Sequence, residues 1–77
     1  SMSIVDLDAT GLLCPLPVLK LRKRLKALQV GESITVLTDA PAALIDVPHF
    51  CQETGHELAE MDIDTVPARW VVRKSTK

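Results

Sequence analysis

The chain is poor in aromatic residues and in cysteine. It has no tyrosine, one phenylalanine (Phe50) and one tryptophan (Trp70), so the exposed rings on which nucleic-acid bases stack are missing. Its two cysteines, Cys14 and Cys51, are too few for the disulfide framework of a small secreted domain. No apolar run reaches the length of a membrane span or of a signal-peptide core. We therefore expect a cytoplasmic protein with two free thiols, without membrane association or direct nucleic-acid binding.

The length of the chain limits the kind of site that it can build. A chain of 77 residues buries only about 60% of its unfolded surface, which leaves no room for a deep substrate cavity. Hydrophobic residues make up 47% of the sequence, which is typical of a folded globular domain. We expect one domain, residues 2–77, with one modest core and a shallow surface site.

The net charge of −1 conceals an uneven distribution of charge. Five cations and no acid fall within seven consecutive residues, namely Lys20, Arg22, Lys23, Arg24 and Lys26. Such a patch attracts nucleic acid or an acidic protein surface. A solvated helix face has the same composition, but we favour a binding role because the patch lies beside a candidate reactive thiol.

The apolar periodicity predicts the order β-α-β-α-β-β. Strands are predicted at residues 3–8, 32–38, 56–62 and 68–74, and the first helix at residues 15–28. Asp39 is expected to cap the second helix and Gly55 to end it. Pro48 predicts a kink there, or a fresh start capped by Asp46. The expected fold is an α/β (α+β) two-layer sandwich, in which two helices cover one face of a four-stranded mixed sheet. The last strand should place Trp70 and Val72 on one face and Arg69, Val71 and Arg73 on the other, with Trp70 in the core.

Cys14 begins a Cys-Pro-Leu-Pro sequence at the predicted start of the first helix. Pro15 and Pro17 suit a first helical turn, because proline lacks an N–H and its φ is already helical. A thiol at that position faces unpaired backbone N–H groups and the positive end of the helix dipole, which favour the thiolate. The sequence therefore predicts a nucleophilic Cys14. A buried structural cysteine beside a proline-capped helix explains the same four residues equally well.

The other candidate ligands and nucleophiles do not form a recognisable motif. Cys51 lies on the apolar face of the second helix and is expected in the core, with pairing to Cys14 as the alternative. His49 and His56 lack the spacing of paired metal ligands, so we expect neither a metal site nor a cofactor. Spacing alone does not say whether either histidine lies near Cys14.

Five segments of the chain together resemble the TusA/SirA family of small sulfur-carrier proteins, whose hallmark is a Cys-Pro-x-Pro motif that opens the first helix. The resemblance covers nearly the whole chain, from Asp6 to Lys74. Its segments are Asp8-Ala9-Thr10-Gly11-Leu12-Leu13-Cys14-Pro15-Leu16-Pro17-Val18, Val30-Gly31-Glu32, Asp39-Ala40-Pro41-Ala42, Asp46-Val47-Pro48-His49-Phe50-Cys51 and Gly55-His56-Glu57-Leu58.

The resemblance implies a sulfur relay with sulfurtransferase-type persulfide chemistry. Cys14 would accept a sulfane sulfur from a cysteine desulfurase or another sulfurtransferase and pass it to a further relay protein. Downstream uses in the family include thiolation of tRNA, assembly of the molybdenum cofactor and oxidation of inorganic sulfur. Pro15, Pro17, Gly11 and Asp8 would support the motif. A carrier that presents its thiol to successive partners is expected to be a monomer.

The resemblance also implies partner contacts on the basic helix. In related carriers basic residues there contact the desulfurase; Arg22 and Lys26 fall at those positions and Lys23 at another frequently basic one. Asp39 is expected either to cap a helix or to contact a partner. The chain departs from the tRNA-thiolation members at three positions near the motif: it has Leu13, Leu16 and Ala40 where they usually have arginine, an acid and aspartate. We therefore expect a more apolar rim around Cys14.

Two alternatives remain open from the sequence. One is a regulatory module for protein or RNA that uses the basic helix and needs no thiol chemistry. The other is a redox switch that pairs Cys14 with Cys51. Serine variants of the two cysteines separate these alternatives from a sulfur carrier.

Overall fold

The computed structural model describes residues 5–77, in which the strands and helices follow the predicted order β-α-β-α-β-β. Residues 3 and 4 of the predicted first strand lie outside the described residues. The other elements begin and end within three residues of their predicted bounds. The elements are β1 (Leu7–Asp8), α1 (Leu16–Lys26), β2 (Ser33–Thr38), α2 (Ala43–Thr54), β3 (Glu57–Asp62) and β4 (Ala68–Arg73).

The strands form one four-stranded mixed sheet, as the sequence predicted, and their spatial order is β1-β2-β4-β3. β1 pairs parallel to β2, while β2 with β4 and β4 with β3 pair antiparallel. A parallel neighbour requires a crossover, and α1 supplies it between β1 and β2. The loop that leaves β1 therefore leads directly into the helix that Cys14 precedes.

The core lies between the sheet and the two helices. On the sheet side, Ile34 of β2 stands opposite Val72 of β4, and Val36 stands opposite Trp70. All four are at most 2% exposed, which confirms the predicted inward face of β4. The Trp70 indole Nε1 donates a hydrogen bond of 2.9 Å to the hydroxyl of Thr38, so its buried polar atom is satisfied. The helices contribute Leu21, Leu25, Val47, Phe50 and Cys51.

β1 begins later than predicted, because the Asp6 side chain takes a hydrogen bond that the backbone of a longer strand would make. The Asp6 backbone N–H still donates to the Thr35 carbonyl at 2.9 Å. The Asp6 carboxylate, however, accepts the Thr35 N–H at 2.8 Å. That N–H is therefore unavailable to a longer backbone ladder, and regular pairing begins at Leu7.

The predicted capping of α2 is wrong. The helix starts after Ala42 without a side-chain cap, and the Asp39 carboxylate accepts a hydrogen bond from the Gly11 N–H instead. α2 continues from Ala43 past Pro48 to Thr54, so no new helix starts at Asp46. Gly55 ends α2 in the left-handed conformation, as predicted.

Both helices are short. α1 has 11 residues and α2 has 12. Neither of these helices in residues 5–77 has the length and apolar character needed to cross a bilayer.

Candidate functional site

Cys14 lies at the surface, immediately before the first residues of α1. Pro15 is the N-cap residue and α1 begins at Leu16, so the predicted position of the thiol at the start of the helix is confirmed. The Cys14–Pro15 peptide bond is cis. The interpretation of Cys14 as a buried structural cysteine is wrong, because its side chain is exposed.

The first turn of α1 offers the thiol few free N–H groups. Pro15 and Pro17 have none, and the Leu16 N–H donates to the Leu13 carbonyl at 2.9 Å. The prolines that start the helix thus remove two of the donors that were expected to stabilise a thiolate. The field of the helix dipole still attracts negative charge at this end.

The loop before Cys14 is fixed by two carboxylates. Asp8 Oδ1 accepts from the Thr10 backbone N–H at 3.0 Å and from its hydroxyl at 2.6 Å. The bonds from the Thr10 hydroxyl and then its N–H lower the pKa of Asp8. Asp39 Oδ1 accepts from the Gly11 N–H at 2.9 Å, and Gly11 has a φ of +77°. Gly11 and Asp39 therefore tie the loop to the end of β2.

Cys14 opens into a shallow cleft between the two helices, with a volume of about 200 Å³. The charged side chains that line it are Arg22 from α1 and Asp46 and Glu53 from α2. His49 of α2 lines the same cleft, and its Nε2 lies 3.6 Å from a carboxylate oxygen of Glu53. The cleft thus places a thiol, an imidazole, two carboxylates and a guanidinium around one open space.

The predicted preference of Cys14 for the thiolate is wrong. Asp46 raises the pKa of the thiol, first because its carboxylate accepts a hydrogen bond from the protonated form. Slight desolvation and the negative charge of Asp46 raise it further. Sequence reasoning assigned Asp46 to a helix cap and missed this role, although the residue begins one of the segments that resemble the family. No local pattern indicates that it would face a thiol 32 positions earlier in the chain.

The remaining predicted ligands and nucleophiles lie elsewhere. Cys51 is 4% exposed in the core, as predicted, and burial raises the pKa of its thiol. Both cysteines are free, which gives no support to a Cys14–Cys51 switch. His56 lies in a different pocket, where its Nδ1 accepts from the Ser75 N–H at 3.2 Å. Among residues 5–77, no three His, Cys, Asp or Glu side chains are arranged to hold a metal ion.

The basic residues of α1 do not form a single patch. The Arg22 guanidinium lies over the Phe50 ring, 5.2 Å from its centroid, on the flank that faces Cys14 and α2. Lys26 follows one turn later on that flank. A separate groove beside β1 is lined by the other three cations, Lys20, Lys23 and Arg24. Of the residues predicted to bind partners, only Arg22 lines the cleft of Cys14.

The rim around Cys14 is apolar. Leu13 is 71% exposed and Leu16 is 45% exposed, on either side of the Cys14–Pro15 step. Ile45, the neighbour of Asp46 on α2, is 74% exposed. A group of exposed large apolar side chains is unusual on the surface of a monomeric protein and is typical of a contact surface. The exposure of Leu13 and Leu16 confirms the predicted apolar rim, whereas Ala40 is only 6% exposed and does not contribute to it.

The fold and the site together define a class of protein. A small two-layer α+β domain with an exposed cysteine at the start of a helix, in a shallow cleft, is suited to present a thiol to other macromolecules. Residues 5–74 match the model of the family described as sulfurtransferase TusA, and the chain belongs to this family. Membership supports a role of the sulfur-carrier or sulfurtransferase type.

The fold is also similar to that of a solved relative. The crystal structure of a SirA-like protein from Desulfitobacterium hafniense superposes with a TM-score of 0.76 at 24% sequence identity. The match covers 95% of this chain and 100% of that chain. This likeness confirms the two-layer architecture and the order of its elements.

Proposed function

We propose that this protein is a single-domain sulfur carrier, residues 2–77, that holds a transferable sulfur atom as a persulfide on Cys14. The observation that supports this most strongly is the exposed Cys14 thiol at the start of α1, in an open cleft that another protein's cysteine can approach. The proposed donor is a cysteine desulfurase or another sulfurtransferase, and the proposed setting is the cytoplasm.

Charging and discharge are two successive thiol–persulfide exchanges. In charging, the Cys14 thiolate attacks the outer sulfur of the donor persulfide, the donor's S–S bond breaks, and the donor cysteine leaves as a thiolate. In discharge, an acceptor thiolate attacks the outer sulfur on Cys14, and Cys14 leaves as a thiolate that takes up a proton. Each step forms one S–S bond and breaks one, so no external oxidant or reductant is needed.

Asp46 sets the balance between these steps. By raising the pKa of Cys14, it lowers the thiolate fraction of the free carrier and limits its reaction with stray electrophiles. A thiol of higher pKa is also a poorer leaving group, so the charged carrier gives up its sulfur less readily to adventitious thiols. A docked partner that draws Asp46 away or supplies positive charge would release both restraints.

Docking uses two kinds of contact around the cleft. Arg22 is held over Phe50 and offers a cation to an acidic partner surface. Leu13, Leu16 and Ile45 offer an apolar rim. Replacing Arg22 by glutamine should slow charging and weaken its dependence on salt. The matched control Lys20→Gln, on the opposite flank of α1, should leave both unchanged; equal slowing by the two variants would contradict docking at the Cys14 flank.

The apolar rim bears on the choice of pathway. In the resemblance, the tRNA-thiolation members have charged residues where this chain has Leu13, Leu16 and Ala40. We propose that the acceptor has an apolar surface around its own thiol. Molybdenum-cofactor assembly and sulfur oxidation are therefore candidate pathways beside tRNA thiolation.

The test of the proposal is the intact mass of the protein after incubation with a cysteine desulfurase and cysteine. We expect the wild type to gain one sulfur atom, lost again on reduction, and the Cys14→Ser variant to gain none. The Cys51→Ala variant is the control and should charge like the wild type. Failure to charge with several desulfurases and with other persulfide donors would contradict the proposal and favour an interaction module.

A further inference from the structure

A second pocket lies next to the cleft of Cys14, between α1, the end of α2 and the chain that leaves β4. Its volume is about 240 Å³. Four cationic side chains line it, namely Arg22, Lys26, Lys74 and Lys77, together with His56. Within residues 5–77, no aspartate or glutamate contributes to the lining. The pocket thus concentrates four cationic side chains without an acidic side chain among them.

Two of these cations are held in place by contacts of their own. The Arg22 guanidinium is stacked on Phe50, whose buried ring forms part of the pocket wall. Lys74 Nζ donates to the Leu28 carbonyl at 2.6 Å, which uses one of its three N–H donors. Side chains that are already ordered lose less entropy when a ligand binds. The pocket is therefore partly preorganised for an anion.

His56 reports the electrostatic character of the pocket. Its pKa is lowered first by partial burial and then by the charges of Lys74 and Arg22. Its Nδ1 accepts the Ser75 N–H, so the neutral ring carries its proton on Nε2. The four cations and His56 thus form one site of positive electrostatic potential.

We propose that this pocket binds a tetrahedral oxyanion of the phosphate class, either free or at the end of a small molecule. Arginine and lysine are the side chains that bind phosphate oxygens most strongly, and a guanidinium can bind two oxygens at once. The volume is below the range of about 300–1,000 Å³ typical of pockets for larger ligands, which favours a small anion. The hydroxyl of Thr76, positioned by its 3.0 Å bond to the Thr54 carbonyl, lies at the same pocket.

The proposed site is distinct from the thiol chemistry but adjoins it. Arg22 and Phe50 line both the oxyanion pocket and the cleft of Cys14, whereas Cys14 itself does not line the oxyanion pocket. A bound oxyanion would compete with an acidic partner for Arg22. Since Cys14 takes no part in binding, Cys14→Ser should bind the oxyanion like the wild type, and the two proposals can fail independently.

The test is an NMR titration of the His56 ring with inorganic phosphate, against sodium chloride at matched ionic strength. We expect a saturable shift with phosphate only. A bound anion should also raise the pKa of His56 by about one unit, because it favours the imidazolium. A chemical-shift change that does not saturate, or that sodium chloride reproduces, would show that phosphate only screens the charges, and would overturn the proposal.

Matched charge variants locate the site. Lys26→Gln should weaken phosphate binding several-fold, whereas Lys20→Gln, on the opposite flank of α1, should leave it unchanged. Equal weakening by both variants would overturn a defined pocket. A nucleoside monophosphate distinguishes the two sources of the ligand: tighter binding than phosphate indicates a phosphorylated small molecule, and equal binding indicates the free oxyanion. Binding of neither would refute the proposal.

Discussion

The loop that positions Cys14 depends on Gly11, and replacing Gly11 by alanine tests that dependence. Gly11 has a φ of +77°, in the left-handed region where a residue with a Cβ costs about 1–2 kcal/mol. No heavy atom lies within 4 Å of the position that the Cβ would take, so a steric clash adds nothing. Alanine also reduces the entropy of the unfolded chain, which offsets about 0.4–1 kcal/mol.

The expected net loss in the free energy of unfolding is about 1 kcal/mol, or about 4–8 °C in Tm for a domain of this size. Urea denaturation and a thermal melt measure it. Relief of the strained φ should also turn the Gly11 N–H away from Asp39 and displace the loop before Cys14. We therefore expect Gly11→Ala to slow charging of Cys14 several-fold, because exchange between two sulfurs requires precise approach.

Gly31 provides a matched control for this prediction. It has a φ of +98°, and again no heavy atom lies within 4 Å of an added Cβ. It lies after α1, where its backbone N–H donates to the Lys74 carbonyl at 2.7 Å. Gly31→Ala should cost a similar free energy without changing the charging rate. If both variants slow charging equally, global stability rather than the loop controls Cys14, and the reasoning is refuted.

Three further predictions concern the cleft and the core. Asp46→Asn removes the carboxylate that favours the thiol, so it should lower the pKa of Cys14 and shift the pH profile of iodoacetamide alkylation to lower pH. An unchanged profile would contradict the role of Asp46. Because the Ile45 side chain is exposed, Ile45→Ser should change the free energy of unfolding by no more than about 0.5 kcal/mol from the wild-type value, while raising the KM for a protein donor. An unchanged KM would exclude Ile45 from docking. Cys51→Ser puts a hydroxyl among apolar core residues and should cost about 1–3 kcal/mol of the free energy of unfolding in urea denaturation. This cost should exceed that of Cys51→Ala if desolvation of the hydroxyl outweighs the lost volume, and the reverse order would indicate that packing dominates.

The sequence predicted those features that depend on local periodicity. The alternation around Trp70 identified the inward face of β4, and the Cys-Pro-Leu-Pro sequence located the start of α1, because both patterns follow from the geometry of a single element. Gly55 likewise ended α2 where predicted, since only the backbone at one residue decides a left-handed C-cap.

The roles of the two aspartates could not be predicted in this way. Asp39 and Asp46 both precede proline-containing helical segments, and each was assigned to a cap. Asp39 instead binds the Gly11 N–H, 28 positions away, and Asp46 faces Cys14 across the cleft. Both contacts are tertiary, and capping rules describe only neighbours along the chain.

The division of the basic helix into two flanks follows from the spacing of its cations. Lys20 and Arg24 are four residues apart, as are Arg22 and Lys26, so each pair shares one flank of a helix. The predicted single basic patch is therefore wrong. The structure places the two pairs at different grooves, and only one of them adjoins Cys14.

The most direct test of the central claim follows one sulfur atom through the complete relay. The protein is charged with radiolabelled sulfur by a cysteine desulfurase, separated from it, and then mixed with an excess of an acceptor thiol. The account predicts that wild type and Cys51→Ala release the label to the acceptor at the same rate and that Cys14→Ser never acquires it. Label that binds to Cys14→Ser, or that stays on the wild type in the presence of acceptor thiols, would contradict a transferable sulfur on Cys14.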